Sequence, residues 1–293
     1  MSRPSLSPTF VADGAALEAL ARRLEAEPRV ALDTESNSFH VLRERVCLLQ
    51  ISTRQADYVV DPFAADPRPL GPVLAAVPEL VVHGADYDVR CLKREYGFAL
   101  PGLFDTMTAA RRLGRVGLGL SALVEQHFGV RLAKDYQRSD WGRRPLSAEQ
   151  VAYAALDTHF LLPLHDLLAA ELAARGLVEA AREEFARVAA VEPRPRVFDP
   201  EGFRHMKGAR DLDPAGRAVL RALWLAREAR ASELDRPPFK VMPEQAMLEV
   251  ARRRPRTEEA LLRVPGVTAV VLRRMGEAAL AAIHQAEGAD ASG

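Results

Sequence analysis

Three apolar runs, at residues 29–33, 46–51 and 58–62, succeed one another across links too short to carry a crossover helix. Strands joined that closely pair with alternating chain direction, so the spacing predicts an antiparallel meander. A fourth run at 80–84 opens instead into a helical pattern over about 86–96, with Gly97 placed as its C-terminal cap. Phe104-Asp105-Thr106 reads as the end of a fifth strand before a helix over 107–113, and a first helix spans 13–27. A meander followed by helix-linked strands is an α/β pattern with a mixed sheet.

Charge sits inside these apolar segments. Leu32-Asp33-Thr34-Glu35 ends the first strand, and His83-Gly84-Ala85-Asp86-Tyr87-Asp88 joins the fourth strand to its helix. Tyr153-Ala154-Ala155-Leu156-Asp157 lies in a helix opened by the capping box Ser147-Ala148-Glu149-Gln150 and interrupted by Pro163. An unpaired buried carboxylate costs on the order of several kcal/mol, so several together imply a shared cation, most simply a divalent metal. Asp33 and Glu35, two apart on a strand, project from one face; solvated acids at a strand end are the structural alternative. Asp88 precedes Cys91 and Leu92 by three and four residues, on the core side of its helix. Helix capping is its alternative, although Asp86 suits the N-cap better. Tyr153 and Asp157 are four apart on one helix face that continues through Leu161 and Leu164, where a tyrosine is ordinarily core.

At 293 residues, 48% apolar and 27% charged, the chain has the composition of a globular protein with a large and a small domain. Its 40 basic and 40 acidic side chains balance, so any contact with nucleic acid depends on local patches. Cys47 and Cys91 lack metal-ligand spacing and read as buried thiols of a reducing compartment. With no apolar segment near the N-terminus and no uninterrupted apolar run of roughly 18 residues, a cytoplasmic protein without membrane contact is expected. The expected divisions are 1–190 for the α/β domain, 191–210 for a proline-rich linker, 211–285 for a small all-α bundle and 286–293 for a disordered tail. Asp213-Pro214 starts the bundle's first helix, and Pro265-Gly266 separates two short final ones. Gly114, Gly117 and Gly119 form no phosphate loop, since no Gly-Lys-Ser/Thr follows.

The three acidic segments resemble the Exo I, Exo II and Exo III motifs of the DEDD exonuclease superfamily. Asp33 and Glu35 match the first, Asp88 the second, and Tyr153 with Asp157 the third. The histidine subclass carries His five positions before the last Asp; here that position is Ala152, and Tyr153 fits the tyrosine subclass. The stretch Gln137-Arg138-Ser139-Asp140-Trp141-Gly142-Arg143-Arg144-Pro145-Leu146-Ser147 is similar to ribonuclease D. Residues 211–283, with Val264-Pro265-Gly266-Val267, resemble one helicase-and-ribonuclease-D C-terminal (HRDC) domain.

The resemblance implies an RNase H-like mixed sheet flanked by helices, and a 3′→5′ exoribonuclease trimming structured RNA such as transfer RNA precursors. It also implies two divalent ions, Mg2+ or Mn2+. Asp33, Glu35 and Asp157 would hold the ion that activates water, and Asp33 with Asp88 the ion at the leaving oxygen. Tyr153 would orient the water or take its proton. Thr34, Phe39, His83 and Tyr87 are candidates for contacting the terminal nucleotide, and Arg138, Arg143 and Arg144 for contacting phosphates; core packing and a solvated loop are the alternatives. In the bundle, Arg252-Arg253-Arg254-Pro255-Arg256, Arg273-Arg274 and the amides of 264–267 are candidate RNA contacts. No obligate protein partner is implied. The rivals are a 3′→5′ DNA exonuclease of the Werner type and a non-catalytic RNA-binding protein on the same fold.

Overall fold

The computed structural model describes residues 7–133, 135–193 and 195–290, which divide into two compact units. The first holds the described chain to Asn37 and again from Arg45 to residue 193; the second holds Ser38–Glu44 and the described chain from Pro195 onward. No described helix is long and apolar enough to cross a membrane.

Six strands, β1 (Thr9–Val11), β2 (Arg29–Ser36), β3 (Val46–Ser52), β4 (Asp57–Val60), β5 (Glu79–Val82) and β6 (Leu103–Asp105), form one sheet ordered β1-β4-β3-β2-β5-β6. The β2–β3–β4 meander is antiparallel, as its short links require. β1 joins β4, β5 joins β2 and β6 joins β5 in parallel. Flanking helices are α1 (Gly14–Leu24), α2 (Leu70–Ala76), α3 (Asp86–Tyr96), α4 (Thr106–Arg112), α5 (Leu120–Phe128), α6 (Ala148–His159), α7 (Leu161–Ala174) and α8 (Val178–Ala189).

Strand alternation divides the sheet between two layers. Leu32, Leu49, Ile51 and Val60 pack with Leu20, Leu74 and Leu92 of α1, α2 and α3. On the opposite face Leu48 and Val59 meet Ala154 and Ala155 of α6, while Ala31 and Val81 meet Leu161, Leu164 and Leu168 of α7. The Ser147–Gln150 capping box opens α6 in both directions. Pro163 falls in the first turn of α7, where its missing amide breaks no hydrogen bond, so the helix ends at His159 and restarts.

Several local expectations are corrected. β1, α2 and α5 carry no strong pattern of their own and are held by tertiary packing. Asp86 is not the N-cap of α3: Ala85 is, and the Asp86 carboxylate pairs with Arg90 at 2.7 Å. Gly84, at φ 66°, turns the chain so that its amide and that of Ala85 donate to Asp105 at 3.1 and 3.2 Å.

The helical unit comprises α9 (Pro214–Leu234), α10 (Pro238–Val241), α11 (Glu244–Arg253), α12 (Glu258–Leu262) and α13 (Ala269–Asp290). Phe203, Met206 and Ala209, expected in the linker, are buried in this unit's core, because two 3-10 turns fold them onto it. The last helix is long, not short. Its stripe Met275, Ala279, Ala282, Ile283 and Ala286 stays in the core, so helix replaces the expected tail through Asp290. The rest of that tail (291–293), residue 194 of the linker, residue 134 and residues 1–6 lie outside the described residues.

Candidate active site

β2 outruns β5. Their pairing covers Arg29 to Ala31 only, so Asp33, Thr34 and Glu35 extend past the point where β5 turns through Gly84 into α3. That crevice at the carboxyl ends of parallel strands is where open α/β sheets place ligands. Asp33 and Glu35 project toward the α6 layer, which carries Tyr153 and Asp157, and the first turn of α3 brings Asp88 to the same crevice. The Thr34 hydroxyl donates to the Asp88 carboxylate.

The four acids feel one another. Asp33 is raised well above the usual carboxylate range, first by burial and then by repulsion from Asp88, Asp157 and Glu35. Burial, with Asp157 and Asp88, pushes Glu35 up to about 9. Asp157 reaches about 7 through burial and the Asp88 charge. Asp88 rises only to about 6, because burial is opposed by the Thr34 hydroxyl and by backbone amides. Among the described residues no lysine, arginine or histidine pairs with any of them. Nor, among the described residues, is any group of three or more His, Cys, Asp or Glu side chains placed to hold a metal ion as it stands. Hard oxygen donors without nitrogen or sulfur suit Mg2+ or Mn2+. A cation would remove the repulsion that now holds protons on the site.

Tyr153 sits between two rings, Tyr136 edge-on at 5.5 Å and buried Trp141 near-parallel at 6.1 Å. Burial and the charges of Asp157 and Glu35 raise its hydroxyl above the ordinary value, so it keeps its proton.

The remaining candidates separate. Arg144 is corrected, because all five of its N–H donors are used internally. It grips Asp61 at 2.6 and 2.8 Å and donates to the carbonyls of Trp141 (2.7 Å), Arg143 (2.9 Å) and Cys47 (2.9 Å). It also lies 4.8 Å over the Phe63 ring. Its work is to anchor the loop that carries Trp141. His83 is corrected as a base-stacking residue. Its Nδ1 lies 2.9 Å from the Thr106 hydroxyl, burial pushes it down to about 4, and its Nε2 is buried without a partner among the described residues. Tyr87 remains exposed beside Asp88, its hydroxyl 2.7 Å from Ser36 Oγ. Arg138 and Arg143 are exposed on the loop before α6. Phe39 is half exposed on Ser38–Glu44 and groups with the helical unit, not with the carboxylates.

Sequence reasoning passed over Gln50. It is fully buried on β3, opposite Asp33, and neither end of its amide has a partner among the described residues. Each such unsatisfied group costs about 1–3 kcal/mol. A glutamine within Val46-Cys47-Leu48-Leu49-Gln50-Ile51 is anomalous by the same argument, in a weaker form than the acids because it carries no charge.

A family model described as 3'-5' exonuclease matches residues 8–173, more than half of the chain. The chain belongs to the 3'-5' exonuclease family. An HRDC domain model matches residues 216–283. Ribonuclease D of Gluconacetobacter diazotrophicus is 32% identical over 268 residues, spanning 89% of this chain and 67% of that protein. RRP6-like 2 of Arabidopsis thaliana is 31% identical across 84% of this chain. The chain spans only 27% to 44% of the length of the RRP6-like and exosome-component relatives that it matches. The catalytic core of RRP6 from Trypanosoma brucei superposes with a TM-score of 0.85 at 30% identity, over 99% of this chain and 82% of that one. Escherichia coli RNase D, described as an exoribonuclease involved in structured RNA processing, gives 0.71 at 28% identity over 96% and 76%. Exonucleases of this family use divalent metal ions.

Proposed function

We propose that this protein is a two-metal 3′→5′ exoribonuclease of the ribonuclease D type, acting in the cytoplasm on structured RNA, with transfer RNA precursors as its substrate class. The observation that carries the reading is the meeting of Asp33, Glu35, Asp88 and Asp157, from three separate elements, in one buried crevice with no compensating side-chain cation among the described residues. The chain's place in an exonuclease family, and its likeness to ribonuclease D, support it.

Bound Mg2+ or Mn2+ would supply positive charge to acidify water and to stabilise the departing oxygen. Asp33, Glu35 and Asp157 would hold one ion, and Asp33 and Asp88 would hold the other. Tyr153, clamped between Tyr136 and Trp141, directs its hydroxyl at the attacking water. Water oxygen bonds to phosphorus as the bond to the 3′-oxygen breaks; the water releases a proton to solvent, the 3′-oxygen takes one up as a hydroxyl, and a nucleoside 5′-monophosphate leaves. Thr34 positions Asp88. Tyr87 offers a surface to the terminal base, and Arg138 and Arg143 face phosphates.

The first unit performs the chemistry and the helical unit holds RNA, without an obligate protein partner. The basic runs near the C-terminus are poorly suited to that task. Arg252 and Arg253 clasp Glu249, Arg254 pairs with Asp213 at 3.0 Å, and Arg274 donates to the Lys240 carbonyl. The amide of Val267 is spent on the Val264 carbonyl. In a pocket of about 690 Å³ lined by Arg204, His205, Arg210, Arg217 and Arg221, Arg204 and Arg221 pair with Glu201 at 2.7 and 2.9 Å and Arg217 donates to the Leu212 carbonyl, so Arg210 is the candidate phosphate contact there.

Wild-type and Asp157→Asn proteins, incubated with a 5′-labelled, 3′-extended transfer RNA in Mn2+, Mg2+ or EDTA, test the reading. A ladder that shortens from the 3′ end, and is lost in EDTA and in the variant, is expected. A matched DNA strand degraded faster than the RNA would move the assignment to a DNA exonuclease. No ladder in either metal would leave an RNA-binding protein.

A further inference from the structure

Gln50 occupies the centre of the site's floor. Its register partner is Asp33 on one side and Val59 on the other, and directly opposed residues of antiparallel strands project from the same face. Leu48, Gln50 and Ser52 alternate along β3 onto the face toward α6, and the outer two are accounted for. Leu48 packs with Ala154 and Ala155, and the Ser52 hydroxyl meets Thr158 at 2.7 Å and Asp57 at 2.6 Å. Between them Gln50 is fully buried, with both amide atoms unpartnered among the described residues.

A buried primary amide is expensive unless its donors and acceptor are used. An apolar side chain of the same size would fill this position at lower cost. The nearest same-face acceptor in the register is the carboxylate of Asp33, the acid most burdened by its neighbours. In the structure that carboxylate accepts from the Thr34 amide and is repelled by three other acids. Carboxylates that ligate metals are usually held by a further hydrogen bond, which fixes their orientation and tunes their affinity.

We propose that Gln50 is a positioning residue for the cation site. When the site binds its divalent ions, the Gln50 amide donates to the ionised Asp33 carboxylate and fixes its orientation, with its carbonyl end accepting from an ordered water. The inference rests on the metal-dependent reading above and deepens it. It implies a trade: Gln50 costs stability in the metal-free protein and returns affinity in the loaded one.

The full chain is tested as wild type, Gln50→Met and Gln50→Leu, by thermal unfolding in EDTA and by calorimetric titration with Mn2+. Both variants should unfold in EDTA at or above the wild-type temperature, because an unpaired amide has been replaced by apolar volume. Their Mn2+ dissociation constants should rise roughly 10- to 100-fold, as for other groups that support a ligand indirectly. A Mn2+ affinity equal to wild type in either folded variant overturns the inference and makes Gln50 a packing residue. A wild-type protein that binds no Mn2+ overturns the metal reading itself, and this inference with it. The two failures are distinguishable because the second appears before any substitution is made.

Discussion

Arg144 with Asp61 and the four acids around Asp33 are both charged groups withdrawn from water in the same unit, and the fold treats them in opposite ways. Asp61 receives two guanidinium hydrogen bonds, and Arg144 spends its other donors on three carbonyls, so that corner is electrically closed. The carboxylate crevice has four acids, one hydroxyl and backbone amides, but no pairing cation among the described residues. A buried charge matched by the chain's own residues holds structure. One left unmatched marks where the chain expects something from outside, because folding alone would select against it.

The comparison breaks most visibly at Asp157. Asp157→Asn should lower turnover by at least about 100-fold, since the charge that positions a cation is lost. It should also raise the unfolding temperature in EDTA, because it relieves repulsion. A destabilised variant would show that the acids are matched after all. Opening the closed corner should act in the reverse sense. Arg144→Ala or Asp61→Ala should cost about 2–4 kcal/mol in denaturant unfolding, toward the lower end because Arg144 keeps some solvent contact. The pair Asp61→Leu with Arg144→Met should recover much of that loss. Mn2+ affinity measured in the folded single variants should remain near wild type.

Proton linkage sharpens the contrast. A carboxyl whose folded pKa lies above its unfolded value of about 4 keeps a proton in the folded chain that the unfolded chain has released. Metal-free stability is therefore greatest below that value and falls as pH rises through about 6 for Asp88, 7 for Asp157 and 9 for Glu35. Thermal melts in EDTA from pH 5 to 9 should show this decline, and Mn2+ should flatten or reverse it. A metal-free protein whose stability rises over that range would contradict the repulsive site.

Tyr153→Phe should lower turnover about tenfold with Mn2+ affinity unchanged, as befits an orienting hydroxyl. Full activity would remove it from the mechanism. The smallest effect is expected at the helical unit's arginine pocket. Arg210→Ala should reduce the salt dependence of RNA binding by about one phosphate contact, leaving hydrolysis of a dinucleotide untouched.

The acidic constellation was readable because acids in apolar runs violate a strong rule, and strand and helix periods place them on defined faces. Gln50 violates the same rule in a weaker form, since an uncharged amide in a β run is easily taken for a solvated position. Arg144 was misassigned for the opposite reason. An arginine in a polar loop looks like a phosphate ligand until Asp61 and three carbonyls are found around it, and two of the four, Asp61 and the Cys47 carbonyl, come from distant parts of the chain. In the basic runs at 252–256 and 273–274, Glu249 lies one turn before Arg252 and Arg253 on the same helix and was legible, whereas Asp213 beside Arg254 and the Lys240 carbonyl beside Arg274 become visible only when helices are packed.

The sequence by itself determined the mixed sheet, the helical bundle and the identity of the five motif residues. Period, link length and forbidden charge are local properties, and each is written in the order of the residues. Only the tertiary structure decided which charges are spent internally, where the pocket of arginines opens, that the last helix runs on through Asp290, and that Gln50 lies unpaired beside Asp33. Those depend on partners brought from distant parts of the chain, and pairing in three dimensions is what sets the cost of a buried polar group.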